Sequence, residues 1–124
     1  MPNRFLRVVL GLQIALGLLW GVSMLFFARQ IVLGTPYGPH IEKIALEGAA
    51  HLMLVFGAVL VWRAPERSRG VLLMMIFLNG LWTLTDLVYI QLVDLSAVDF
   101  YFKVAVNAVL TLGLAWSGRR AGVV

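Results

Sequence analysis

The stretch Leu46-Glu47-Gly48-Ala49-Ala50-His51-Leu52 sets a carboxylate and an imidazole one helical turn apart. It lies inside a run, Ile44 to Trp62, that otherwise holds only apolar and small residues. Such a run is long enough to cross a bilayer as a helix. An ionisable group within a spanning helix is costly unless it is paired or put to use. The fold therefore turns on whether the rest of the chain is built in the same way.

Composition says that it is. Of 124 residues, 61% are hydrophobic and 13% charged, and the mean hydropathy is +0.93. A soluble domain carries about 25% charged residues, and a core of this size cannot hide so many apolar side chains. Lipid must cover them. The net charge is +4, but the ten Lys and Arg sit between apolar runs, as loop charges do in membrane proteins, and form no cluster for nucleic acid. The chain has no cysteine, which excludes disulfides, thiol redox chemistry and Cys-based metal or iron–sulfur sites.

Hydropathy and turn residues predict four spans, at 8–28, 43–63, 70–90 and 100–117. The N-terminus imitates a signal peptide, but its apolar run from Val8 to Ala28 is longer than a signal core and no small-x-small cleavage site follows. It is read as a retained first helix, with Gln13, Gly17, Trp20, Ser23 and Phe27 on one face and Gly17/Gly21 as a packing notch. Gly34, Pro36, Gly38 and Pro39 mark the first connector, where His40 is given no role. The second helix carries Glu47, His51, Val55, Ala58 and Trp62 on one face, and Pro65 stops it. Asn79, Thr83 and Asp86 share a face of the third, as do Lys103, Asn107 and Thr111 of the fourth. The fourth is the shortest expected span, closed by Gly118 as a C-cap.

Backbone in lipid must satisfy its own hydrogen bonds, so the reading is all-α: an integral membrane four-helix bundle of antiparallel up-down topology, forming one domain. Arg4, Arg7, Arg63, Arg67, Arg69, Arg119 and Arg120 fall on one side. The other holds Arg29 and Lys43, countered by Glu42, Asp94 and Asp99. Positive charge stays inside, which predicts both termini in the cytoplasm and a multi-pass protein of the cytoplasmic (inner) membrane. Trp62 and Trp116 would mark the inner interface, and Tyr89, Phe100 and Tyr101 the outer. The arginine-rich inner loop is read as this orientation signal.

At about 1.5 Å per residue, Glu47, His51, Asp86, Lys103 and Asn107 all fall in the outer half of the bilayer. The expectation is a polar chamber open to the outside and closed below by Trp62, Leu73, Met74 and Leu114. Glu47 with His51 has three readings: a structural pair, a proton-handling or ligand-binding pair, or a metal site completed by Asp86. One intramembrane histidine and no cysteine leave Glu47, His51 and Asp86 as the only conceivable metal set, and haem lacks a second axial histidine. Asn79 and Thr83 suit interhelical hydrogen bonds. Asp86 divides between such a contact and a functional carboxylate. Lys103 is expected to extend its ammonium to the surface rather than pair.

The second helix resembles the DoxX-like family of small four-helix bacterial membrane proteins. The residues that carry the likeness are Glu47, the small residues Gly48-Ala49-Ala50, Gly57 and Arg63. The first helix lacks the family's Gly-x-x-Lys-like ending, and the fourth lacks the acidic residue found there. The resemblance implies four spans and membrane redox or quinone-linked roles.

Three functions follow from these readings. One is a binding or transport protein, acting as an oligomer, that takes a small ligand or proton at Glu47, His51, Asp86, Lys103, Asn107, Asn79 and Thr83. Another is a membrane enzyme using Glu47 or Asp86 as acid or base on a quinone- or lipid-like substrate. The third is a structural subunit of a larger complex. No cofactor or catalytic residue is named by the sequence. The bilayer is the certain partner, and a homo-oligomer or membrane complex the expected one.

Overall fold

A computed structural model describes residues 2–32, 41–92 and 98–124. The described residues are almost wholly helical and contain no strand. The helices are α1 (Pro2–Phe26), α2 (Ala28–Val32), α3 (Ile41–Arg63), α4 (Arg69–Leu92) and α5 (Val98–Arg120), with a 3-10 turn at Pro65–Arg67. Three of them, α1, α3 and α4, are long and apolar enough to cross a membrane. In α5, Lys103, Asn107, Thr111 and Ser117 dilute the apolar content.

Several boundaries differ from expectation. The first helix starts at Pro2 rather than near Val8, since proline suits a first helical turn. It ends at Phe26, and a short α2 occupies part of the expected connector. One turn before the break, the Ser23 hydroxyl donates to the Leu19 carbonyl (2.6 Å). The last helix, with 23 residues, shares with α3 the place of shortest among the four long helices. Gly118 does not cap it but lies inside it, buried against Leu72 and Val124. The cap is Gly122, with φ 73°. Val123 N–H donates to Gly118 O (2.9 Å) and Gly122 N–H to Arg119 O (3.1 Å), a Schellman ending.

The main packing pairs are α1 with α3, α4 with α5, α1 with α5 and α3 with α4. The closest approach is between α1 and α3, where a Cβ on Gly48 would stand 2.6 Å from the Leu25 backbone nitrogen and one on Gly21 3.1 Å from Gly48 O. The expected notch at Gly17 and Gly21 is thus filled by a third glycine from α3.

The beginning of α1, the end of α3, the beginning of α4 and the end of α5 meet at one end, hereafter the basic end. Phe5 packs edge-on against Trp116 (4.9 Å between centroids), and the Arg120 guanidinium lies 4.9 Å from the same indole. Leu6, Leu10, Val61, Leu72 and Leu114 fill the interior there. The expected plug needs correcting, because Trp62, Leu73 and Met74 face outward and only Leu114 is buried. Phe27 also falls off the expected face of the first helix and is exposed. The apolar outer surfaces of the helices suit a lipid cover. Tyr101 is exposed. His40, Asp94 and the side chains of Tyr89, Asp99 and Phe100 lie outside the described residues.

Candidate functional site

Away from the basic end the interior turns polar. On α3, Glu47 and His51 stand one turn apart, with His51 Nε2 3.9 Å from Glu47 Oε1. Lys103 of α5 donates a hydrogen bond to that same oxygen. Lys103 therefore turns inward rather than to the surface. The carboxylate gives it a charge-assisted partner, and both side chains keep some access to solvent.

His51 itself is 2% exposed. Its ring lies 4.5 Å from Trp82 of α4 and 6.0 Å from Trp20 of α1, and Trp20 in turn packs against Phe102 of α5 at 6.4 Å. Nε2 makes no hydrogen bond. Indoles from α1 and α4 thus flank the imidazole of α3, and α5 reaches the group through Phe102 on Trp20 and Lys103 on Glu47.

Further toward the basic end lie Gln13, Asn79 and Asn107, all nearly fully buried. Asn79 Nδ2 donates to Gln13 Oε1 (2.9 Å), tying α4 to α1. Asn79 Oδ1 and Asn107 Nδ2 have no partner. Thr83 and Thr111 donate their hydroxyl protons to the carbonyls of Asn79 (2.8 Å) and Asn107 (2.7 Å) one turn back in their own helices. Asp86 is half-buried, and its Oδ2 is unpaired.

Among the described residues two side-chain to side-chain bonds cross between helices. Backbones pack for α1–α3, α4–α5, α5–α1 and, less closely, α3–α4, whereas Gln13–Asn79 joins α1 to α4 and Glu47–Lys103 joins α3 to α5. Long polar side chains span the diagonals that the backbones do not close.

Glu47, His51 and Lys103 are therefore brought together. Asp86 is not joined to them by an ion pair or hydrogen bond among the described residues. No three His, Asp or Glu side chains gather closely enough there to hold a metal ion, so the set Glu47, His51 and Asp86 is not assembled as a ligand shell. One open concavity among the described residues is apolar. It is a groove between α3 and α4 lined only by apolar side chains.

The residues that sequence reasoning missed are Trp82 and Phe102. Trp82 follows Asn79 by three residues and precedes Asp86 by four, so helical spacing puts it on their face. Chemically, the arrangement can hold a proton at His51 beside a carboxylate. It can also present one buried acceptor (Asn79 Oδ1) and one buried donor (Asn107 Nδ2). Comparison of the chain with protein families, with curated proteins and with solved structures finds no match.

Proposed function

We propose that this chain is a small membrane protein whose α1, α3, α4 and α5 form an antiparallel four-helix bundle, with both termini on the cytoplasmic side of a bacterial-type inner membrane. In this reading it binds a small ligand or proton at the Glu47–His51–Lys103 cluster, in the outer half of the bilayer. The three apolar helices support a membrane location, and the arginines of the basic end support the orientation. Kinship with DoxX-like proteins and assembly as a homo-oligomer belong to the same proposal.

One observation carries the binding role: the enclosed His51 with its unbonded Nε2. A buried polar atom left without a partner costs about 1–3 kcal/mol. An imidazole that served only to pin helices would bond that nitrogen. Binding is favoured over passage because the interior beyond Gln13 and Asn79 is filled by Leu6, Leu10, Val61, Leu72 and Leu114, which offer an ion no partner on the way to the basic end. The diagonal Glu47–Lys103 bond favours a second reading, in which the polar residues are structural pins.

Tryptophan fluorescence of the protein in lipid nanodiscs separates the two. A protonated imidazole in contact with indole quenches its emission, and two of the four tryptophans, Trp20 and Trp82, flank His51. If the cluster handles protons, a change of pH alters emission in the native chain and leaves that of His51→Gln unchanged. If His51→Gln reproduces the native titration curve, the site does not handle protons and the structural reading stands.

A further inference from the structure

The two sides of α3 are packed differently. Against α1 the glycines bring backbones into contact. Against α4, a Cβ on Gly57 would meet only Met75 and Val71, at 3.3 Å, and the helices part to leave a groove of about 440 Å³. Its walls include Met53, Phe56 and Leu60 from α3 and Met74, Phe77 and Leu81 from α4. Methionine and leucine side chains adapt readily to a flexible chain. Met53 to Leu60 and Met74 to Leu81 each cover about 10 Å along the helix axis, much of the depth of one leaflet.

Arginines flank this groove along the chain. Arg63 follows Leu60 by three residues, and Arg67 and Arg69 precede the groove residue Val71 by four and two. All three are exposed. Among the described residues the ion pairs all involve Glu47, so none of these guanidiniums is held by a carboxylate, and Glu66 beside them does not bridge to them. As sequence, they serve as an orientation signal. The groove gives them a second meaning: an apolar slot about one leaflet deep, flanked along the chain by unpaired fork donors.

We propose that the α3–α4 groove with Arg63, Arg67 and Arg69 is a binding site for one anionic phospholipid, its acyl chain in the slot and its phosphate on the arginines. Guanidinium matches phosphate geometry with two parallel bonds, and basic pockets between spanning helices on the cytoplasmic side suit anionic headgroups. A zwitterionic headgroup would set its own cation against the arginines. A second copy docked here in the same sense would bring its own basic end against this one. This site does not depend on the His51 reading, only on immersion in a bilayer.

Native mass spectrometry of the purified full chain, equilibrated with phosphatidylglycerol, phosphatidylcholine of the same chain length, or soluble glycerol phosphate, tests the proposal. The native chain is expected to retain one phosphatidylglycerol in preference to phosphatidylcholine and to retain no glycerol phosphate. R63Q/R67Q/R69Q should weaken retention about a hundredfold, as three arginines each worth roughly fivefold near an anionic headgroup. Leu60→Trp keeps every charge, and hence the orientation signal, but fills the slot; it should weaken retention about tenfold. If the triple variant does not purify folded, Arg63→Gln alone should show about fivefold. Equal retention of both lipids, tight binding of glycerol phosphate, or phosphatidylglycerol binding unchanged in a folded arginine variant or in Leu60→Trp would overturn the site.

Discussion

At the basic end, Leu6 and Leu10 of α1 meet Val61 of α3, Leu72 of α4 and Leu114 of α5, and the buried hydroxyls of Ser68 and Ser117 turn back onto the carbonyls of Ala64 and Leu114. Toward the other end the same four helices present Trp20, His51, Trp82, Phe102 and the Glu47–Lys103 pair. In lipid the hydrophobic effect does not drive helices together, because acyl chains are as apolar as leucine. The aliphatic end therefore coheres by dispersion and fit alone. The polar end adds charge, hydrogen bonds and glycine contacts. The closest backbone approach in the molecule falls at this polar end: a Cβ on Gly17 would lie 3.4 Å from His51 O, and Gly48 follows Glu47 directly. The turn that carries the ionisable pair is thus the turn most firmly fixed to α1. A rigid mount under His51 and Glu47 is what a site needs, and a set of mere packing contacts does not.

The comparison breaks most severely at Gly48. In Gly48→Val the new side chain meets the backbone of α1 rather than a flexible tip, so α1 must move. Equilibrium unfolding in mixed micelles should show a loss of about 3 kcal/mol, the upper end of usual overpacking costs, together with loss of the His51-linked fluorescence response. At the aliphatic end, Leu114→Ala opens a void beside Leu72 and Leu10 and should cost nearly as much, about 2–3 kcal/mol. There, however, the fluorescence titration of Trp20 and Trp82 should survive. If Leu114→Ala abolishes it, the two ends are one cooperative unit and the contrast fails.

The sequence made one of these ends easier to read than the other. Apolar runs declare the four long helices, of which α1, α3 and α4 are apolar enough to cross a membrane, and arginine placement marks the basic end, because both signals are one-dimensional. Helical spacing also put Glu47 with His51, and Asn79 with Thr83 and Asp86, on common faces. It could not say how each face is rotated against its neighbours. That rotation decides whether Lys103 reaches Glu47 or water, and it turned Trp62, Leu73 and Met74 outward from an expected plug. It likewise left Asp86 without a hydrogen bond or ion pair to the cluster and brought Trp82 against His51. One helix end was missed for a local reason: Gly122, not Gly118, has the left-handed backbone that closes α5.

A smaller effect sharpens the polar end. Lys103→Met leaves Glu47 without its ammonium partner. Removing one member of a buried ion pair costs about 3–5 kcal/mol, and partial solvent access at both side chains lowers the expectation to about 1–2 kcal/mol. Adding Glu47→Gln should recover most of that loss, since no charge then remains to be compensated. A double variant no more stable than Lys103→Met would mean that the pair has no net coupling across the α3–α5 diagonal.

The smallest effects lie in the amide layer, and their signs differ. Asn79 bonds Gln13, so Asn79→Leu removes the α1–α4 tie and strands a glutamine oxygen. Intramembrane hydrogen bonds of this kind are worth about 0.6 kcal/mol, and a loss near that size is expected. Asn107 Nδ2 has no partner to lose. Replacing it with Leu, of similar volume, removes a buried unsatisfied donor, so stability should rise by about 0.5–1 kcal/mol. A stabilising Asn107→Leu that also removes a ligand or pH response would identify that nitrogen as kept for binding at the expense of the fold. A destabilising one would show that Asn107 already serves the packing, and the polar interior would then differ from the aliphatic end only in the chemistry of its contacts.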